Sequence, residues 1–365
     1  MPGTDLFQEA ERQLVVCNAC RYCEGYCAVF PAMELRQAFT RGDITYLANL
    51  CHDCRACYYA CMYSPPHEFG VNIPQVLSEV RRDGYRRYGW PRAFARALHG
   101  ARATWAVAAA AIVVVLGLAV LLAGPGRLLG AYLGPGAFYQ VVAYWAIVLP
   151  GVAALCYWLG VWTAGGLWFW REIGVGRPEA LTLRAVGGAV WEALTLRWLR
   201  GGGPGCPYPE ERASPLRGTL HALVFYGFLA ALASTTLAAI DQDLLGRMPP
   251  YPLASAPVVL GTFGGLAIIV GTAGMLVAKA RSDRRPAGGE ALAIDYAFVI
   301  TLGLASLTGM LTLALRATHV MGLTLVIHLG IVAALFVTAP YGKFVHLVYR
   351  VLALVRNRLE RGAER

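Results

Sequence analysis

Six stretches of the chain are apolar almost without interruption, at 104–123, 139–162, 218–240, 256–279, 292–315 and 322–348. Each is close to the ~20 residues that an α-helix needs to cross a hydrocarbon core. The pattern therefore predicts a six-helix transmembrane bundle with both ends of the chain on one side. Residues 1–76 are mixed in character, 77–103 are rich in arginine, and 351–365 form a polar tail. A mainly α protein is expected, with a small helical N-terminal domain over 1–76, a basic linker over 77–103 and a membrane domain over 104–350. The segment 164–216 includes Leu167–Trp170 and a patchily apolar 180–199, followed by Gly201-Gly202-Gly203-Pro204, and is too broken by charge to span. It reads as an amphipathic interfacial helix, with a plain long loop as the alternative.

Composition supports a membrane protein. Of the 365 residues, 57% are hydrophobic and 15% charged, and the mean hydropathy is +0.50, outside the usual range of a soluble globular domain. The net charge of +10 comes almost wholly from arginine. In a membrane protein such an excess records orientation and contact with anionic lipid, so no nucleic-acid partner is expected. The loops on one side carry Arg171, Arg177, Arg184, Arg197, Arg200 and Arg212, then Lys279, Arg281, Arg284 and Arg285. Lys343, Arg350, Arg356 and Arg358 surround the last helix end, whereas the opposite loops show only Arg127, Arg247 and Arg316. The positive-inside rule then places both termini of this multi-pass chain in the cytoplasm, at the cytoplasmic (inner) membrane. The first long apolar run begins near Thr104, beyond the reach of a secretory signal, so the N-terminal domain is expected to stay cytoplasmic.

The ten cysteines are unevenly placed, with eight between Cys17 and Cys61 and Cys156 and Cys206 standing alone. The eight form Cys17-x2-Cys20-x2-Cys23-x3-Cys27 and Cys51-x2-Cys54-x2-Cys57-x3-Cys61, one pattern repeated at a period of 34 residues. Arginine follows the second cysteine in both copies (Arg21, Arg55), and proline stands four places after the last (Pro31, Pro65). In a reducing compartment such a cluster holds metal rather than disulfides. Three cysteines at three-residue spacing wrap three corners of an iron–sulfur cubane, and the fourth is carried away to the other cluster. The spacing predicts a ferredoxin-like domain with two 4Fe–4S clusters. One would be held by Cys17, Cys20, Cys23 and Cys61, the other by Cys27, Cys51, Cys54 and Cys57. Bacterial ferredoxins place proline directly after the fourth cysteine, where Ala28 and Met62 stand here; this alters loop shape and not ligand count. Structural zinc sites use cysteine pairs with longer gaps, which suits the pattern poorly. Cys156, in an apolar helix, and Cys206, in a Gly/Pro loop, are expected to be packing or incidental residues.

Ionisable groups within a bilayer are costly and mark function by default. Four histidines lie in or beside the apolar stretches: His221, His319, His328 and His346. His221 opens the third span and His346 ends the sixth, both on the cytoplasmic side, and two imidazoles from different helices at one depth can clamp a haem iron. Eighteen residues separate His328 from His346, or ~27 Å of continuous helix, so these two are not expected to serve one haem. His328, with His319 near it, is left to a second haem, a quinone contact or a hydrogen-bonded interhelical contact. His52, His67 and His99 are expected to be surface or local hydrogen-bonding residues.

The runs VCNACRYCEGYCAVFPAME and DITYLANLCHDCRACYYACMYSPPHEFGVNIP resemble the tricarballylate/citrate-utilisation protein B family, and the similarity extends to the C-terminus. That resemblance implies a membrane iron–sulfur and haem b protein that reoxidises the reduced flavin of an FAD-containing dehydrogenase and delivers the electrons to the membrane quinone pool. The C-terminal half, from LRGTLHALVFYGF to VIHLGIVAALFVTAPYGKFVHLVYR, also resembles the cytochrome b (gamma) subunit of respiratory nitrate reductases. In that family two histidines eighteen apart on the last paired helix bind different haems, which His328 and His346 match. A second helix there carries two histidines ten apart, of which His221 matches the first while Ala231 stands in the second place. One haem b per chain, on His221 and His346, is therefore expected rather than two. No residue looks like a substrate-activating acid, base or nucleophile, so the chain alone is expected to be inert toward the organic substrate. The basic linker is expected to lie on anionic lipid, or else to dock the dehydrogenase. Two further readings stand beside this one: a heterodisulfide-reductase-like subunit linking quinols to a thiol–disulfide partner, and a membrane adaptor whose clusters only sense redox state.

Overall fold

The computed structural model describes residues 5–174, 181–200 and 205–363; Arg177 and the Gly201-Gly202-Gly203-Pro204 run lie outside them. Among the described residues, six helices are long and apolar enough to cross a membrane: Ala101–Ala123, Tyr144–Ile173, Leu216–Asp243, Ala256–Arg281, Gly289–Ala314 and Met321–Tyr341. Their number is the one the hydropathy pattern predicts, and their length and composition are compatible with a multi-pass membrane protein. The third and fourth cross closely at Gly227 and Gly264, where a Cβ on Gly264 would lie 2.6 Å from the Gly227 carbonyl oxygen. Small residues at a crossing let helix backbones approach in lipid.

Two boundaries differ from the apolar pattern. The second long helix starts at Tyr144 rather than at 139, because a 3-10 turn over Ala137–Gln140 precedes it, and it runs on to Ile173. It thereby absorbs Leu167–Trp170, which the pattern assigned to the interfacial segment. The regular part of the sixth helix stops at Thr338, where the 3-10 turns Ala339–Tyr341 and Lys343–Val345 flank Gly342. Pro340 offers no N–H and a fixed φ, which stops a helix. His346 therefore does not end the sixth span; it begins a separate amphipathic helix, His346–Ala363. The straight-helix spacing between His328 and His346 does not apply across that break.

The N-terminal domain is made of short helices with strong starts. Asp5 caps Leu6–Cys20 by accepting from Phe7, Thr40 and Asp43 form a reciprocal capping box on Arg41–Leu50, and Asn72 caps Ile73–Arg87 by accepting from Gln75. Such caps satisfy N–H groups that a helix start leaves free. The composition change at 76 falls inside Ile73–Arg87, which buries Val76, Leu77 and Val80. Arg87 pairs with Glu172 at the end of the second long helix (2.8 Å), and Arg82 pairs with Glu79 (2.8 Å) and Glu290. These two linker arginines are engaged within the molecule.

One core joins this domain to the end of the bundle. Leu14, Met33, Leu47 and Leu77 pack with Phe169 and Ile173 of the second long helix and with Tyr349, Leu354 and Val355 of the C-terminal helix. Burying one such side chain contributes about 1.5–3 kcal/mol, so the domain is seated on the bundle rather than tethered to it. A polar network crosses the same junction. Arg36 pairs with Asp43 (2.6 Å) and Glu360 (2.8 Å), Arg356 pairs with Glu360 (3.1 Å), and the Tyr46 hydroxyl donates to Glu360 (3.2 Å). The helix Leu183–Leu194, capped by Thr182, is held to the C-terminal helix by a Glu192–Arg358 pair (2.8 Å) and leaves Leu183, Val186, Val190 and Trp191 exposed. An outward apolar stripe on a short helix is the form an interfacial helix takes.

Candidate cofactor sites

Leu6–Cys20 carries Cys17 and Cys20 on its last turn, and Arg21 then enters the left-handed region (φ 55), which turns the chain toward Cys23. The second copy repeats the device. Arg41–Leu50 ends at Cys51, and Arg55, after Cys54, takes the same left-handed turn (φ 68) ahead of Cys57. Positive φ is uncommon for a residue with a Cβ, so the paired arginines of the repeat share an unusual backbone role. In both copies the arginine carbonyl accepts from the third residue on, Glu24 at 3.1 Å and Tyr58 at 3.0 Å. The last cysteines also match: the N–H groups of Val29 and Phe30 serve Cys27, and those of Tyr63 and Ser64 serve Cys61.

The eight sulfurs line two cavities. Cys17, Cys20, Cys23 and Cys61 wall one, with Cys57 also on its wall, beside Tyr22 and Met62. Cys27, Cys51, Cys54 and Cys57 wall the other, beside His52 and Arg55. Burial, then the neighbouring sulfurs of Cys61 and Cys20 among others, pushes the thiols of Cys17 and Cys23 up to about 12. Burial, then Cys54 and Cys51, carries Cys57 well above the usual thiol range. Thiolates crowded in a low-dielectric site repel one another, and a bound cationic metal centre offsets both penalties. The donor chemistry therefore fits a pair of iron–sulfur clusters better than eight free thiols.

Two residues escaped the sequence reading. His52 is buried, Cys206 is buried, and their ligand atoms lie with Cys54 Sγ within 4.8 Å of one another. Neither ring nitrogen of His52 has a hydrogen-bond partner among the described residues. Cys206 reaches this place on a two-residue strand in register with Ser214, a tertiary contact with no local sequence signal. His67 keeps the expected local role, accepting from the Phe69 N–H at 3.1 Å, while His99 is half-buried rather than on the surface.

His221 lies near the start of the third long helix and His346 is the first residue of the C-terminal helix. His346 Nδ1 is 2.6 Å from the Lys343 carbonyl oxygen; a proton on Nδ1 donates there and leaves Nε2 bare for a metal, as second-shell partners of ligating histidines do. Burial, then Lys343 and His221, holds the His346 imidazole below its ordinary range and so in the neutral, ligating form. His221 Nδ1 is a buried polar atom with no partner among the described residues. Each imidazole thus has the chemistry of a metal ligand, His346 by its Nδ1 contact and His221 by its unpartnered nitrogen. His328 Nδ1 instead lies 3.0 Å from the Ala305 carbonyl and 3.2 Å from the Thr308 hydroxyl, an interhelical contact, and His319 is exposed in the turn before the sixth helix.

Two arginines join these sites. Arg217, four residues before His221, donates to the Asp53 carbonyl and faces the Asp53 carboxylate at 3.8 Å. Arg350, four residues after His346, donates to the carbonyls of Asn49 (2.9 Å) and Leu50 (2.6 Å). The loop bearing Cys51 and Cys54 is thereby held from both histidine helices.

Fold and cysteine pattern together define a Fer4-like domain carried on a membrane-type helical bundle. The chain belongs to the citrate utilization protein B family: residues 98–365 match the family described as Citrate utilization protein B, and residues 10–87 match its Fer4-like domain. It is 41% identical over 357 residues to the Citrate utilization protein B of Escherichia coli, an alignment covering 97% of this chain and 92% of that relative. No solved structure matches it.

Proposed function

We propose that this protein is an iron–sulfur and haem b electron-transfer subunit of citrate or tricarballylate utilisation, which takes electrons from the reduced flavin of an FAD-containing dehydrogenase and passes them to membrane quinone. Cys17, Cys20, Cys23 and Cys61 hold one 4Fe–4S cluster; Cys27, Cys51, Cys54 and Cys57 hold the other; His221 and His346 hold one haem b. Bound there, these groups supply one-electron carriers. The chain sets their order. Cys20, Tyr22 and Met62 of the first set are exposed, which gives a soluble partner its approach, while Cys51 and Cys54 of the second are buried. The observation that carries the reading is the arginine pair, because Arg217 and Arg350 brace the second cysteine loop from the two histidine helices. The lysine and arginine bias of the loops supports a cluster domain and both termini on the cytoplasmic side of the inner membrane.

Anaerobically purified protein is expected to hold about eight irons and about eight acid-labile sulfides from two cubanes, one haem by pyridine haemochrome, and to reduce quinone when its partner flavin is reduced. A colourless, zinc-loaded domain, or full cofactor loading without quinone reduction, overturns the reading.

A further inference from the structure

Between the cluster domain and the bundle lies a polar cavity that neither cysteine set walls. Arg55, Arg81, Arg82, Arg217, Lys279 and Lys343 line it, against the carboxylates of Asp53 and Asp295. Both carboxylates already face cations: Asp295 is shared by Lys279 (3.1 Å) and Lys343 (2.7 Å), and Asp53 faces Arg217 (3.8 Å). Arg81 makes no ion pair within 4 Å among the described residues, although Cys51 and Asp53 lie near enough to favour its charge. Its Nε and Nη2 are buried without a hydrogen bond among the described residues, and so is the hydroxyl of Tyr85, a side chain only 3% exposed. Buried donors without acceptors are costly, and a guanidinium cannot escape the cost by losing its proton. An anion with two or more acceptor oxygens would satisfy these three donors and offset the excess positive charge.

The position of the cavity narrows its chemistry. Lys343 turns its ammonium to the cavity while its carbonyl faces His346 Nδ1, and Arg217 lines the cavity four residues from His221. A haem held by those histidines would bring two carboxylates, the acceptors that Arg81 and Tyr85 are missing, although Asp53 Oδ1, on the same cavity, is also without a partner among the described residues.

We infer that this cavity is a carboxylate-binding site in which Arg81 and Tyr85 supply the hydrogen bonds and Lys343 and Arg217 the surrounding charge. The carboxylate comes either from the haem propionates, which rests on the haem reading above, or from a small carboxylate in the cytoplasm, which does not.

The test uses the full-length protein in detergent, loaded with haem b or with its dimethyl ester, and times haem release to apomyoglobin. Losing one charge-assisted hydrogen bond speeds release about tenfold. Arg81→Gln is expected to show that effect with haem b, Tyr85→Phe a smaller one, and neither to change release of the ester. Citrate is titrated calorimetrically into the same samples. Citrate binding that Arg81→Gln weakens about tenfold assigns the site to a free carboxylate, and does so even if pyridine haemochrome finds no haem. The site is overturned if citrate gives no heat and the variants release haem b at the wild-type rate, or speed the release of haem b and its ester equally. Tyr85→Phe removes one oxygen only and keeps the test decisive should Arg81→Gln fail to assemble its clusters.

Discussion

Arg350 donates to the Leu50 carbonyl at 2.6 Å, joining residues 300 positions apart in sequence. The carbonyl belongs to the residue before Cys51, and the arginine stands one helical turn beyond His346. Removing the guanidinium leaves the carbonyls of Asn49 and Leu50 without their donor at a buried site, a loss of about 1–3 kcal/mol each. Arg350→Ala is expected to disturb the cluster on the second cysteine set and leave the other in place, so electron paramagnetic resonance should lose or shift one of two cluster signals. Loss of both signals together would mean the arginine serves general folding only.

Cross-ligation makes a prediction that sequence order would reverse. Cys27 belongs to the first run but lines the second cavity, and Cys61 does the opposite. Cys27→Ala should therefore give the same spectroscopic loss as Cys54→Ala, and Cys61→Ala the same loss as Cys20→Ala, each removing about four of about eight irons. Cys27→Ala grouping with Cys20→Ala would show that each run ligates its own cluster.

The histidines divide in the same way. His221→Ala and His346→Ala are each expected to abolish the low-spin haem spectrum while the iron–sulfur content stays, since one missing imidazole leaves iron with an open or water-filled position. His328→Ala should keep that spectrum, because Ala231 stands where the partner histidine of a second haem would be expected, which leaves His328 to its interhelical contact with Ala305 and Thr308. A haem-to-protein ratio near two would instead assign a second haem to His328.

Topology is checked by two reporters. A fusion after the last residue should report the cytoplasm, and one inserted near Gly246, between the third and fourth long helices, the opposite side. The same compartment at both points would remove the odd number of crossings between Gly246 and the C-terminus.

What the sequence revealed here depended on whether a signal was local. The six apolar runs and the cysteine spacing are local, and both led directly to the helices and to the repeated cysteine loops. The break at Ala339–Gly342 carried a local signal in Pro340 and Gly342, but apolar residues continue on both sides of it and hydropathy alone passes over a 3-10 turn unchanged. The ion pairs of the linker arginines Arg82 and Arg87 could not be read from the sequence because their partners, Glu290 and Glu172, come from distant helices. His52 and Cys206 were missed for the same reason, since only the folded loop at 205–214 brings that thiol to the second cysteine set.

The helix His346–Ala363 supplies buried surface to a domain that begins at the other end of the chain, with Glu360 facing Arg36 and Tyr46. During synthesis the cysteine loops leave the ribosome well before that helix exists. Until that helix has emerged, Arg36 lacks Glu360 and the face that will meet Leu354 and Val355 is open to water. The schedule of translation thus separates the making of the cysteine loops from the sealing of the core beneath them, and leaves an interval in which those loops exist without that cover.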